Sequence, residues 1–319
     1  MSKMKKIFFY VDTFGLGHIT REIALIRAMP KDVEISVFAG KYLDIIQKSL
    51  PGINVKKTNI GFRMVPTGIG LDVKKTIETN HDFEEHFNMG AEEEFKRLAM
   101  EKPDLVVADI PAEIFVAANR VNIPVVAVSN FGWTIIIEHI FGRKSREYLI
   151  YANAYSKATK TFVLPFNEPM ESFPNKITVN LLRRKITKKL PKKTGILAAF
   201  GKSGMTDANE FYRLPDDEPE GQDHIAAAEM VFTKPAYGTV SEAASAGVPI
   251  FVRKREDFPE SNYILKSLEW MGVVPEEVNP REWIKKEAKN IDWNAIKRMK
   301  EKYSKNGDEE IAITIRNML

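Results

Sequence analysis

Met230-Val-Phe-Thr-Lys234-Pro-Ala-Tyr237-Gly-Thr-Val-Ser-Glu242-Ala-Ala-Ser-Ala-Gly247-Val-Pro249 is the stretch from which the rest of the chain is read. Residues 230–233 form a short apolar strand pattern, 234–247 read as turn, helix and turn, and 248–252 form the next apolar strand. Short, wholly apolar strands joined by a helix belong to a parallel sheet covered on both faces. Tyr237, Gly238 and Thr239 fall at the helix start. There, free backbone N–H groups and the positive end of the helix dipole can hold a phosphate. Glu242 follows one turn later, within reach of a sugar attached to that phosphate. The alternative is that the glycines serve only close packing, and the segment by itself fits both.

Composition narrows the classes. The 319 residues carry 44% apolar and 28% charged side chains, the balance of a soluble globular protein of one large or two ordinary domains. Forty-seven basic against 43 acidic residues leave a net charge of +4, too mild to indicate nucleic-acid binding. Cysteine is absent, which excludes disulfides, thiolate metal sites and thiol catalysis. No signal-peptide pattern and no apolar span of membrane length is evident, so a cytoplasmic protein is expected.

Working outward, the first half alternates β-branched runs with helical patterns. Strands are expected at 7–11, 33–38, 53–58, 105–108, 125–128 and 162–164. Helices are expected at 19–28, 42–50, over much of 72–102, at 112–121 and at 134–158. Pro165, Pro169 and Pro174 then interrupt the pattern. A second β/α half follows, with strands at 196–200, 210–214, 230–233 and 248–252, an acidic loop at 215–223 and a charged helical end. The expectation is two doubly wound units facing a cleft. Residues 1–166 form the first, 167–192 a linker and the start of the second, and 193–319 the second, its last helices packing back toward the first.

In an open α/β sheet, ligands gather at the carboxyl ends of the strands. The first βα turn, Asp12-Thr-Phe-Gly15-Leu-Gly17-His18-Ile-Thr-Arg21, lacks the third glycine of a dinucleotide fingerprint, so a nicotinamide cofactor fits poorly. His18 is placed there for acid–base work, with helix capping as the bland alternative. Asp109 ends a strand on the same rim, able either to orient an imidazole or to cap the helix near Ala112. Asn130-Phe-Gly-Trp133 offers an amide and aromatic faces suited to a sugar or small polar acceptor, or simply core packing. His81 and His86, five apart, do not share a helix face as a zinc pair would. Asp216-Asp217 reads as an acidic loop. Gly201-Lys-Ser-Gly204 lacks the spacing of a P-loop.

Taken in order, Gly15-Leu-Gly-His-Ile-Thr-Arg21, Pro103-Asp-Leu-Val-Val-Ala-Asp109, Val128-Ser-Asn-Phe-Gly-Trp133, Lys234-Pro-Ala-Tyr-Gly-Thr-Val-Ser-Glu-Ala243 and Val252-Arg-Lys-Arg-Glu-Asp-Phe-Pro-Glu260 resemble a GT-B glycosyltransferase. The likeness is closest to the glycosyltransferase-like N-terminal domain of plant L-arabinokinases and stand-alone microbial relatives. It extends more distantly to the peptidoglycan GlcNAc transferase and UDP-glycosyltransferases. The resemblance implies a nucleotide-sugar donor, UDP-linked, held by the second unit. Tyr237, Gly238 and Thr239 would lie on the diphosphate, Glu242 on the ribose, and Glu260 and Asn262 on the donor sugar, with Gly201 and Lys234 completing the set. It implies an acceptor entering against Gly15, Gly17, Arg21, Asn130 and Trp133. His18 would be the base that deprotonates the acceptor hydroxyl, and Asp109 its orienter. No cofactor and no bound metal are implied, since helix dipoles and side-chain charge can stabilise the leaving diphosphate.

The segment 202–229 is short where relatives carry a further helix and strand, so the second unit reads as trimmed. Three functions follow: glycosyl transfer to an acceptor hydroxyl, non-catalytic binding of a nucleotide sugar or glycan, and nucleotide-sugar epimerisation. The acceptor could be a sugar, a small molecule or a lipid-linked molecule. For the last, Arg143, Lys144 and Arg146 could offer a peripheral membrane contact, although the pattern favours a solvated helix face.

Overall fold

The computed structural model describes residues 4–201, 211–214, 218–255 and 257–319. Strands β1 (Lys5–Val11), β2 (Val33–Ala39), β3 (Asn54–Lys57), β6 (Leu105–Asp109), β7 (Val125–Ser129), β8 (Lys160–Val163) and β9 (Lys176–Thr178) form one parallel sheet in the order β3-β2-β1-β6-β7-β8-β9. A small hairpin, β4 (Pro66–Thr67) and β5 (Gly70–Leu71), stands apart from it. Strands β10 (Lys193–Ala198), β11 (Tyr212–Arg213), β12 (Ala228–Thr233), β13 (Ile250–Arg253) and β14 (Gly272–Val274) form a second parallel sheet, ordered β11-β10-β12-β13-β14. With 13 α-helices among the described residues around the two sheets, this is the doubly wound α/β plan expected from the sequence.

Period-2 alternation decides which side chains meet across each sheet. In β1, Ile7, Phe9 and Val11 face α1 (Leu16–Ala28), where Ile19 and Ile23 join the same apolar cluster. Phe8 and Tyr10 face the opposite side, sharing a cluster with Phe83, Phe87 and Leu98 of α4 (Phe83–Glu101). The first cluster runs on through Phe166 and Leu182 to Val231 and Ile250 of the second sheet. The two sheets therefore share apolar packing. Strand β9 lies inside 167–192, pairs with β8 and adds that segment to the first sheet.

Two expected helices are each divided. The helical pattern at 72–102 becomes α3 (Val73–Thr79) and α4, because the Asn80 amide donates to the carbonyls of Thr76 and Arg63, both at 2.7 Å, and competes with the ladder. The pattern at 134–158 becomes α6 (Trp133–Phe141) and α7 (Arg146–Tyr155), broken at Gly142, whose φ of 89° is open to glycine. Helices α2 (Leu43–Ser49) and α5 (Glu113–Arg120) form close to where they are expected. In the trimmed region, β11 is a two-residue edge strand and α8 (Gly221–Ala227) leads into β12. The Lys-Ser pair of 202–203 and the acidic pair 216–217 lie outside the described residues. Helices α9 (Tyr237–Ala246), α10 (Glu260–Ser267), α11 (Pro280–Glu287), α12 (Trp293–Lys302) and α13 (Asp308–Arg316) complete the chain. Helix α13 packs on α1, and Arg316 pairs with Asp32. No helix among the described residues is long and apolar enough to cross a membrane. On the outer surface Arg143 pairs with Glu171 and Arg146 with Glu84.

Candidate active site

Each sheet reverses its strand order once, between β1 and β6 in the first and between β10 and β12 in the second. Crevices open at such switch points, and here the two face one another. A cavity of about 340 Å³ lies between them, within the range of small-molecule sites.

On the first side, α1 begins directly after Gly15, whose extended backbone is followed by a helix start with no side-chain cap. His18 and Arg21, three residues apart on this helix, share a face and both reach Asp109 at the end of β6. The His18 Nδ1 is 2.9 Å from Asp109 Oδ1. Arg21 donates to both Asp109 oxygens, to Ser129 Oγ at 2.9 Å and to Asn130 Oδ1 at 2.5 Å. Asn130 donates in turn to Glu260 Oε1 at 3.0 Å, so one polar chain crosses the cleft. Burial works to raise the Asp109 carboxyl, but the Arg21 guanidinium and then His18 outweigh it and hold it at about 2. The same His18 Nδ1 lies 2.9 Å from Arg21 Nη2; a proton on Nδ1 would serve the ionised Asp109 and leave Nε2 as the acceptor nitrogen. The capping alternatives are not realised. Helix α1 has no side-chain cap, and α5 follows Ala112 with no cap from Asp109.

On the second side, α9 also starts without a side-chain cap, and neither α1 nor α9 carries an acidic residue in its first turn. The two helix starts abut. A Cβ on Gly238 would stand 3.1 Å from Gly17 Cα and 3.0 Å from Thr20 Oγ1. Close packing and an uncapped helix start therefore coincide at the same glycine. Tyr237 is buried, its hydroxyl accepts from Leu182 N at 2.9 Å, and its ring lies 5.2 Å from the Arg21 guanidinium. Burial pushes its phenol up, so it stays neutral. Glu242 is buried and held by Arg184, with Nε to Oε1 at 2.8 Å and a second contact at 3.3 Å.

Lys234 and Arg255 follow adjacent strands β12 and β13 into the cavity, with Gly201 after β10. Burial brings the Lys234 ammonium down to about 8, and neighbouring Arg255 adds to this. Burial likewise lowers Arg255 to about 10, against the pull of Glu260. Arg255 is 4% exposed, its guanidinium lies 3.7 Å from the centre of the Phe258 ring, and its Nε has no hydrogen-bond partner.

Most of the expected residues meet here: Gly15, Gly17, His18 and Arg21 from one side, Gly201, Lys234, Tyr237 to Thr239, Glu242 and Glu260 from the other. Asn262 does not; it is exposed on α10, outside the cavity lining. Asp109, Asn130 and Trp133 are fully buried beneath the floor. Trp133 is thus no open platform for an acceptor. Its indole N–H donates to Asp12 Oδ2 at 2.9 Å and its ring backs His18, centroids 5.9 Å apart. Phe14, Arg255 and Phe258 lie in the quoted motifs but received no role from the sequence, and Arg184 was not singled out. The two aromatics stack across the cleft, centroids 5.6 Å apart.

No protein-family profile matches the chain. The L-arabinokinase of Arabidopsis thaliana is 26% identical over 316 residues, covering 84% of this chain; the chain spans 30% of that relative's length. Among solved structures, the calicheamicin glycosyltransferase CalG4 superposes with a TM-score of 0.68 at 14% identity, covering 99% of both chains. A UDP-glucosyltransferase from Polygonum tinctorium gives 0.68 at 9% identity, covering 100% of this chain and 99% of that one. The glycosyltransferase SnogD from Streptomyces nogalater gives 0.63 at 13% identity, covering 99% and 100%. The fold is GT-B.

Proposed function

We propose that the chain is a glycosyltransferase that moves a sugar from a UDP-linked donor to an acceptor hydroxyl. The observation that carries this reading is the meeting of two uncapped helix starts, α1 and α9, beside the His18–Asp109 pair in one cavity. The diphosphate would lie on the N–H groups of Tyr237, Gly238 and Thr239, with both helix dipoles favouring its charge. His18 Nε2 would take the acceptor hydroxyl proton as the oxygen bonds to the anomeric carbon. The sugar–phosphate bond would break and its electron pair leave on the diphosphate. Asp109, ionised and fixed by Arg21, would stabilise the imidazolium formed. Glu242, held by Arg184, keeps acceptor capacity for ribose hydroxyls. The fixed dipoles supply the positive potential, so the reading requires no resident metal.

The test is release of free UDP from UDP-sugars, measured with sugar and phenolic acceptors in the presence of a chelator. His18→Ala should reduce release by about 10²–10⁴-fold while UDP affinity by calorimetry stays unchanged; transfer retained by this variant would remove His18 from its role. The engagement of both Glu242 oxygens by Arg184 favours a second reading, a nucleotide-sugar binder without turnover. In that case UDP-sugars bind and no acceptor releases UDP.

A further inference from the structure

Three buried arginines line the cavity, and they differ in what takes their N–H groups. Arg21 donates to Asp109, Ser129 and Asn130, and Arg184 to Glu242 and the Pro219 carbonyl. Arg255, two residues past β13 and 4% exposed, has no hydrogen-bond acceptor among the described residues, and its Nε–H is sealed from solvent as well. Glu260 acts on it through space, while the Glu260 Oε1 accepts from Asn130. The Phe258 ring, 3.7 Å from the guanidinium and stacked on Phe14, holds the group in place. A buried charged donor without an acceptor is costly to the empty chain, and a ligand oxygen in the cavity would remove that cost. The loop that carries Arg255 is tied to the turn before α9, where Ser261 Oγ donates to the Pro235 carbonyl at 3.4 Å. Arg255 therefore belongs to the corner between the α9 start and Glu260, where the diphosphate would pass into the sugar.

We propose that Arg255 is a donor-contacting residue, its guanidinium receiving an oxygen of the nucleotide sugar, from the diphosphate or from a sugar hydroxyl. Either oxygen is an acceptor that the planar fork of N–H groups can engage. The inference rests on the nucleotide-sugar reading above and adds that this arginine serves the ligand and not the fold. Replacing an unpartnered buried charge by an apolar side chain of similar length is then neutral or stabilising in the empty chain, while the bound state loses a charged hydrogen bond.

Calorimetry of the native chain with UDP, UDP-glucose, UDP-galactose and UDP-N-acetylglucosamine identifies the tightest UDP-sugar. Arg255→Met should bind it about tenfold or more weakly, and Arg255→Lys should recover part of the loss. The unliganded Arg255→Met chain should melt at or above the native temperature. An equal loss for UDP alone assigns the oxygen to the diphosphate, and unaltered UDP affinity assigns it to the sugar. Native affinity in Arg255→Met for both UDP and the UDP-sugar overturns the inference and leaves the nucleotide reading intact. So does an unliganded Arg255→Met chain that melts below the native one, since the arginine would then hold the fold. A native chain that binds neither UDP nor any of the UDP-sugars sinks both.

Discussion

At the scale of single residues, the site is governed by which buried charges are paired. Asp109 and Arg21 are both sealed from solvent and are paired with one another, with His18, Ser129 and Asn130 completing the network. The Asp109 carboxyl, held at about 2 against an ordinary 3.8, contributes stability that is fully present above about pH 4 and is lost as pH falls toward 2. Glu113 acts in the opposite sense. Burial raises it from 4.5 to about 7, while its Oε1 accepts from Gly61 N at 3.0 Å and its Oε2 has no partner. The folded chain therefore binds a proton there more tightly than the unfolded chain, and stability declines as pH rises from 4.5 to 7. Glu113→Gln should remove that decline, gaining about 3 kcal/mol over the native chain at pH 8 and little at pH 4. Urea unfolding at the two pH values measures it; an equal change at both would show that the Glu113 charge is not the cause.

The residues legible in sequence were those whose backbone position fixes their surroundings. His18 and Asp109 follow β1 and end β6, neighbouring strands, and that alone brings them to one rim. Asn262 was misplaced because it stands two residues after Glu260 on α10. At 3.6 residues per turn, two such positions face nearly opposite ways, so a helix that turns Glu260 to the cleft turns Asn262 to solvent. Arg184 was not legible. It belongs to a run of lysines and arginines in 183–193, where the one buried against Glu242 reads like its solvated neighbours.

At the scale of elements, the contact between α1 and α9 sets the width of the cleft. Gly17 and Gly238 bring the two helix starts together because neither has a side chain to hold them apart. Gly238→Ala places a methyl group 3.0 Å from Thr20 Oγ1 and 3.1 Å from Gly17 Cα, so the helices must separate or the backbone must shift. Overpacking of this kind costs about 1–3 kcal/mol. UDP affinity should fall by about tenfold or more in a chain whose circular dichroism is unchanged; undiminished binding would mean that the α1–α9 contact does not shape the diphosphate site. The strand–helix–strand unit itself was plain from its apolar pattern. That its glycine meets a second glycine more than 200 positions away was not, because local spacing carries no record of a contact between two sheets.

At the scale of the molecule, two parallel sheets present their switch points to each other, and the candidate site is divided between them. The first contributes the imidazole and its carboxylate, the second the helix start and the buried cations. Shared apolar packing through Phe166, Leu182 and Tyr237 joins the halves, with α13 returning to α1. The bridging pairs Arg27–Glu220 and Arg316–Asp32 are partly exposed, so each adds at most about 1 kcal/mol. The two-unit plan could be read from the alternation of strands and helices. The apposition of the units could not, because it depends on side chains such as Leu182 that lie in a linker without periodic pattern. A crystal structure with UDP bound tests the central claim most directly. It should show the diphosphate within about 3 Å of the N–H groups of Tyr237, Gly238 and Thr239, its terminal phosphate turned toward His18. UDP seated elsewhere, or turned so that its terminal phosphate points away from His18, would contradict it.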